Sequence, residues 1–229
     1  MAAAIPDHGL AELPAYQPRQ EWRLAFPAAG RGALLRRHPE LFIEQFPSRL
    51  VFSLYFDTPS LSDYRQVVEG LPRRRKFRLR CYPGSTDHSV YLESKARRGE
   101  LQLKFSAAVT GLERDAWLRT GREVDPAALP SWTWAPLARR RPFFATRFRR
   151  HYFVSSDGAL RLTLDEELEF GRAGAWRPAG RQLVLELKFS PARRSRAAEA
   201  VAALGRPGAS GKYRQAVEHW GAWPLPWTW

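Results

Sequence analysis

The segment Arg73-Arg74-Arg75-Lys76-Phe77-Arg78-Leu79-Arg80-Cys81-Tyr82 decides how the chain is read. From Lys76 onward it alternates. Successive side chains of an extended strand point to opposite faces, so Lys76, Arg78 and Arg80 share one face and Phe77, Leu79 and Cys81 the other. A row of cations repels itself and implies an anion that balances it. The same period of two recurs elsewhere. Glu21 and Arg23 share a face in Glu21–Phe26, Glu93 and Lys95 in Val90–Lys95, and Gln102 and Lys104 in Glu100–Ala107. Arg147 and Arg149 do so in Phe143–Val154, Arg161, Thr163 and Asp165 in Leu160–Phe170, and Glu186 and Lys188 in Gln182–Phe189. An antiparallel sheet with one solvated face also alternates. Such a face mixes signs, because like charges directly opposite one another cost up to about 1 kcal/mol. Here Lys and Arg dominate, and the few acids recur in an E-x-K frame. The expectation is a sheet closed into a barrel, with cations pointing inward and apolar residues packing outward under helices.

Punctuation between these strands fills in the rest. Leu50–Phe56 reads as a further strand, stopped by Asp57-Thr58-Pro59, where Asp57 and Thr58 close a turn. Leu61–Glu69 reads as a short helix ended by Gly70. Turns at Pro83-Gly84-Ser85, Arg97-Arg98-Gly99 and Ser156-Asp157-Gly158 link hairpins. Helices are expected over Gly30–Phe42 (broken at Pro39), Leu112–Arg119, Ala192–Leu204 and Lys212–Trp220, with a loop over one rim at Pro126–Pro142. The fold class expected is α+β: a closed eight-stranded antiparallel β-barrel with peripheral helices. One domain spans residues 20–221, after a loose leader at 1–19 and before a Trp/Pro tail at 222–229.

Composition bounds the function. With 229 residues, 44% of them hydrophobic and 13% aromatic, the chain has enough apolar surface for one full core and is no disordered basic tail. The formal net charge of +14 implies an anionic partner: nucleic acid, a phosphate-rich small molecule or an anionic membrane surface. Cys81 is the sole cysteine, so an intrachain disulfide and a C-x-x-C metal site are excluded, and its place on the apolar face makes it a core residue. Met1–Pro18 lacks a basic-then-apolar signal pattern, and no run of 18 apolar residues occurs, so a cytoplasmic protein without a membrane span is expected. The five histidines have no metal-ligand spacing, and Trp220, Trp223, Trp227 and Trp229 are expected to cover the barrel exterior or dock the tail.

Arginine forks match phosphate oxygens bidentately, and lysines supply point charges. A line of such groups suits a linear polyanion such as a triphosphate or polyphosphate. A few carboxylates among many cations can hold one or two divalent ions that bridge phosphate oxygens. The chemistry this pattern favours is transfer of, or attack on, a terminal phosphoryl group by positioning and electrostatics.

Ser53-Leu54-Tyr55-Phe56-Asp57-Thr58-Pro59, Tyr64, Gly70 and Arg75–Tyr82, followed by Glu93-Ser94-Lys95, Arg149 with Arg161–Asp165, Leu185–Lys188 and Lys212-Tyr213, occur in one order over residues 20–220. This ordered set resembles the VTC (vacuolar transporter chaperone) polyphosphate polymerase domain, within the CYTH-like triphosphate tunnel metalloenzyme superfamily. The resemblance implies an eight-stranded tunnel in which Arg23, Arg78, Arg80, Lys95, Lys104, Arg149, Arg161, Lys188 and Lys212 grip phosphates. Arg78, Arg80, Lys95, Arg149, Arg161 and Lys188 would carry catalysis. Glu186 would hold Mn²⁺ or Mg²⁺, with Glu93, Glu21 and Asp165 as further metal candidates. It implies transfer of the ATP γ-phosphate to a growing polyphosphate chain, so ATP and polyphosphate are the expected partners, with no specific nucleic acid. Two departures stand out: Gly211 occupies the place of a family serine, and Arg23 that of a family lysine. The chain reads as a stand-alone version without a sensor region. Two rival functions remain: a tripolyphosphatase or nucleoside triphosphatase in the same tunnel, and a non-catalytic module binding RNA or polyphosphate.

Overall fold

A computed structural model describes residues 20–26, 42–84, 89–98, 101–109, 137, 139–172, 174–180, 183–204, 208 and 211–221. Nine strands follow in order: β1 Gln20–Phe26, β2 Phe42–Asp57, β3 Arg73–Cys81, β4 Val90–Arg98, β5 Leu101–Val109, β6 Arg141–Ser155, β7 Arg161–Arg172, β8 Ala175–Pro178 and β9 Leu183–Phe189. The helices are α1 Ser62–Val68, α2 Arg194–Leu204 and α3 Lys212–His219. Every strand pair is antiparallel, and the sheet runs β1-β9-β7-β6-β2-β3-β4-β5, with β8 added beside β7. A largely antiparallel sheet with few helices is therefore present.

The expected closure is corrected. A ninth strand is present, and among the described residues no hydrogen-bonded pairing joins β1 to β5, so the ladder is open between its two end strands. Alternation specifies which face a residue takes; it says nothing about which edges meet, and closure depends on edges. The sheet nevertheless curls until its ends face each other. Lys95 Nζ on β4 lies 3.3 Å from Glu21 Oε1 on β1.

Three further differences have local causes. β2 starts at Phe42, eight residues before Leu50, because its first half pairs with β6 through register shifts on either side of Phe46. Pro47 falls inside that irregular stretch and has no N–H to give the ladder. β6 starts at Arg141, pairing with Asp57, in what the sequence presents as a rim loop. β8 is four residues long, too short for periodicity to announce. The expected helix at 112–119, the leader and the tail lie outside the described residues, as do nearly all of the expected helix at 30–42 and most of the loop at 126–142.

Two apolar layers coat the outside of the curl. On one side Leu24, Leu162, Leu164, Leu185 and Leu187 pack beneath Ala197, Ala200, Val201 and Leu204 of α2. On the other, Leu54, Phe56, Phe77, Leu79, Cys81 and Leu92 pack together with Leu137, and Cys81 is fully buried as expected. A third cluster joins Val51, Tyr55 and Phe148 of the concave face to Tyr213, Ala216 and Val217 of α3.

Candidate phosphate-binding cavity

Burial of Phe77, Leu79 and Cys81 in the outer layer turns Lys76, Arg78 and Arg80 toward the concave side. Register then lines up the neighbours. Lys76 on β3 is opposite Lys95 on β4, and Lys95 is opposite Lys104 on β5. The adjacent row runs Tyr55, Arg78, Glu93, Ser106. At the far end of the sheet, Arg23 is opposite Glu186 and Glu21 opposite Lys188. α3 contributes Lys212 from its first turn. Of these aligned residues and Lys212, all but Glu93 and Ser106 line a cavity of about 220 Å³, together with Arg80, Tyr82, Phe148, Arg150, Tyr152 and Gly211. Nine cationic side chains face two carboxylates, Glu21 and Glu186, in that lining.

The carboxylates are heavily engaged. Arg23 reaches Glu21 at 3.1 Å and Glu186 at 3.3 Å, and so stands between them. Glu186 also lies 3.6 Å from Arg150, 3.7 Å from Lys188 and 3.7 Å from Lys212. Burial opposes its charge, but Lys212, Arg150, Lys188 and Arg23 outweigh burial and hold the carboxyl well below the usual range. Burial likewise opposes ionisation of Glu21, and Lys95 and Arg23 bring it down to about 2. Glu93 sits behind the wall, gripped by Arg78 at 2.6 Å and Lys104 at 2.6 Å, with Arg80 at 3.7 Å. Asp165 is also behind it, paired with Arg150 at 2.6 and 2.7 Å and with Lys212.

Lys76 differs from the other cavity cations, because no ion pair reaches it among the described residues. Burial and the neighbouring Arg23 push its pKa down to about 8, from an ordinary 10.5. The unfolded chain therefore binds more protons than the folded one between about pH 8 and 10.5. Keeping Lys76 charged costs the empty protein stability below pH 8, and that cost fades as pH rises through the window. A bound polyanion would remove the cost. Burial also brings Lys188 down to about 8. Arg80 Nε is buried with no acceptor among the described residues, leaving a donor available to an anion.

Of the residues the sequence singled out, the structure gathers Arg23, Arg78, Arg80, Lys95, Lys104, Lys188 and Lys212 around the cavity with Glu21 and Glu186. Arg149 and Arg161 are corrections. Arg149 lies on the other face of β6, where its half-exposed side chain is 3.5 Å from Glu167. Arg150 takes the inward place, with Phe148 and Tyr152 beside it. The doublets Phe143-Phe144 and Arg149-Arg150 let β6 be read in either parity, and the inward-facing Phe148 disguises the true one. Arg161 keeps the parity of Thr163 and Asp165 but opens β7, is exposed and does not line the cavity. Glu93 and Asp165 act as buried counter-ions. Lys76 and Arg150 line the cavity although neither is among the expected phosphate ligands. Lys76 carried a signal, since it shares the parity of Arg78 and Arg80.

Only part of the donor set suits a divalent metal. No cluster of three or more His, Cys, Asp or Glu that could cage an ion exists among the described residues. Glu21 and Glu186, on either side of Arg23, offer two hard oxygen donors at the cavity wall. That fits an ion such as Mg²⁺, which takes one or two carboxylates and completes its shell with water and substrate phosphates. Gly211 leaves room as well: a Cβ there would sit 3.9 Å from Lys76 Nζ and 4.0 Å from Arg23 Nη1, an ordinary contact distance.

Residues 31–204 match the family model described as the VTC domain. No curated protein matches the chain. Among solved structures, a putative adenylate cyclase from Bacillus halodurans is 11% identical with a TM-score of 0.56, covering 86% of this chain and 97% of that one. A putative adenylyl cyclase from Hippeastrum, described as having a dominant triphosphatase activity, is 16% identical with a TM-score of 0.52, covering 92% and 98%. A Pyrococcus horikoshii protein is 11% identical with a TM-score of 0.52, covering 88% and 99%. Identities this low speak to a shared fold alone. No helix among the described residues is long and apolar enough to cross a membrane.

Proposed function

This chain belongs to the VTC domain family, and we propose that it is a metal-dependent polyphosphate polymerase that works in the basic cavity. The observation that carries the reading is the row Lys76, Lys95, Lys104 beside Arg78 and Arg80. Three lysines directly opposite one another on neighbouring strands destabilise an empty sheet. A linear chain of phosphates laid along them removes that repulsion and uses the bidentate forks of the arginines.

In the proposed reaction a terminal oxygen of the polyphosphate attacks the γ-phosphorus of ATP. A new P–O bond forms, the bond from the γ-phosphorus to the β-bridging oxygen breaks, and ADP leaves with that electron pair. The attacking oxygen is already anionic, so no base is required. Arg78, Arg80, Lys95, Lys104, Lys188 and Lys212, with Lys76 and Arg150, bind and orient the two anions and neutralise charge on the equatorial oxygens. Arg23 donates to both Glu21 and Glu186 and orients the two carboxylates in the wall. A Mn²⁺ or Mg²⁺ ion held by Glu186 and Glu21 would supply further neutralisation at the phosphate oxygens.

Incubation with ATP and Mn²⁺ should release ADP and build long-chain polyphosphate, resolved by gel for chain length. Orthophosphate with no polymer would select the triphosphatase reading and overturn the polymerase.

A further inference from the structure

Asp57 ends β2 as a fully buried carboxylate outside the cavity lining. Its Oδ1 accepts the N–H of Thr58 at 2.6 Å and of Asp63 at 3.0 Å, and its Oδ2 accepts the N–H of Tyr64 at 3.0 Å. Those bonds cap the start of α1, whose own N-cap, Leu61, supplies none. One further donor reaches it from far along the chain. The Tyr213 hydroxyl on α3 donates to Asp57 Oδ2 at 2.6 Å. Burial, with Asp57 alongside, holds the Tyr213 phenol well above its ordinary pKa, so it remains a donor.

Tyr213 directly follows Lys212. Consecutive helical residues project about 100° apart, so one can anchor while the other works. Lys212 extends to Asp165 and, at 3.7 Å, to Glu186 in the cavity wall. The Tyr213 ring stacks on Tyr55 with centroids 5.2 Å apart, and Tyr55 accepts a hydrogen bond from Arg78 at 3.1 Å. Gly211, the N-cap of α3, has no side chain to fix that end of the helix.

We propose that Asp57 and Tyr213 form a latch that sets the position of Lys212 in the anion cavity, making both of them positioning residues for phosphate binding. The inference rests on the phosphate-binding reading of that cavity. The test is a double-mutant cycle read by calorimetric binding of tripolyphosphate in the absence of metal. Tyr213→Phe keeps the ring stack and removes the hydrogen bond to a charged acceptor, and should weaken binding about tenfold. In a Lys212→Met background the same change should weaken it by less than about twofold, because the group being positioned is gone. Asp57→Asn trades one of the two acceptor oxygens for an amide N–H2 set against backbone or phenol donors, and its loss of affinity should likewise shrink in the Lys212→Met background. Equal losses in both backgrounds would mark a general softening of the fold and overturn the latch, as would full affinity in Tyr213→Phe. If the unaltered protein binds no tripolyphosphate, the phosphate reading fails and the latch fails with it.

Discussion

Replacing Glu186 with glutamine should lower metal-dependent ATP turnover by at least about a hundredfold while leaving metal-free tripolyphosphate binding intact or a few-fold tighter. The split follows from the two jobs of this carboxylate. It is one of two acids at the cavity wall that could hold a divalent ion, so the substitution removes that charge from the site. It is also the counter-ion of Arg23, Arg150, Lys188 and Lys212. Glutamine leaves those four cations less compensated, and an added polyanion can replace the missing charge. Removing one partner of a buried ion pair costs about 3–5 kcal/mol. The thermal midpoint of the empty variant should therefore fall, and tripolyphosphate should raise it by at least as much as it raises that of the unaltered protein. Unimpaired turnover would remove Glu186 from metal binding.

Arg150→Met should be the second large effect, and Arg149→Met its silent control. Arg150 forms a bidentate pair with the fully buried Asp165 at 2.6 and 2.7 Å. Its loss strands that carboxylate with Lys212 alone and should cost about 3–5 kcal/mol in denaturant unfolding. Tripolyphosphate affinity should drop as well, because an inward cation disappears. Arg149 has a partly solvated partner in Glu167. Such exposed pairs are worth about 0–1 kcal/mol, so Arg149→Met should leave stability and binding almost unchanged. The reverse result, a silent Arg150→Met with a damaging Arg149→Met, would restore the parity first read from the sequence.

That contrast shows how much the sequence revealed and where it stopped. β3 was legible because its apolar members, Phe77, Leu79 and Cys81, are unbroken by doublets and all pack into one outer layer. The same holds for β9, where Leu183, Leu185 and Leu187 separate Val184, Glu186 and Lys188 cleanly. β6 was legible as a strand but not in its facing, since it carries Phe148 inward among charged residues. The bulge in β7, with Glu167 at φ 53°, is a further irregularity that alternation does not foresee. Edge pairing was beyond reach for a different reason: whether β1 meets β5 depends on the curl summed over all the strands between them. Asp57 and Thr58 were expected to close a turn. They do so by capping α1, yet the bond from Tyr213, 156 residues away, has no signature in the local pattern.

The cavity should take a linear phosphate anion. Calorimetric titration of tripolyphosphate into the unaltered protein and into Lys76→Met, near pH 7 and with single-stranded RNA as a competitor, tests it most directly. One anion should bind per chain, about tenfold more weakly to Lys76→Met, whose empty form should be no less stable than the unaltered protein. RNA should compete poorly. No binding heat with tripolyphosphate, or RNA binding that it fails to displace, would show that the cavity is not a site for linear phosphates.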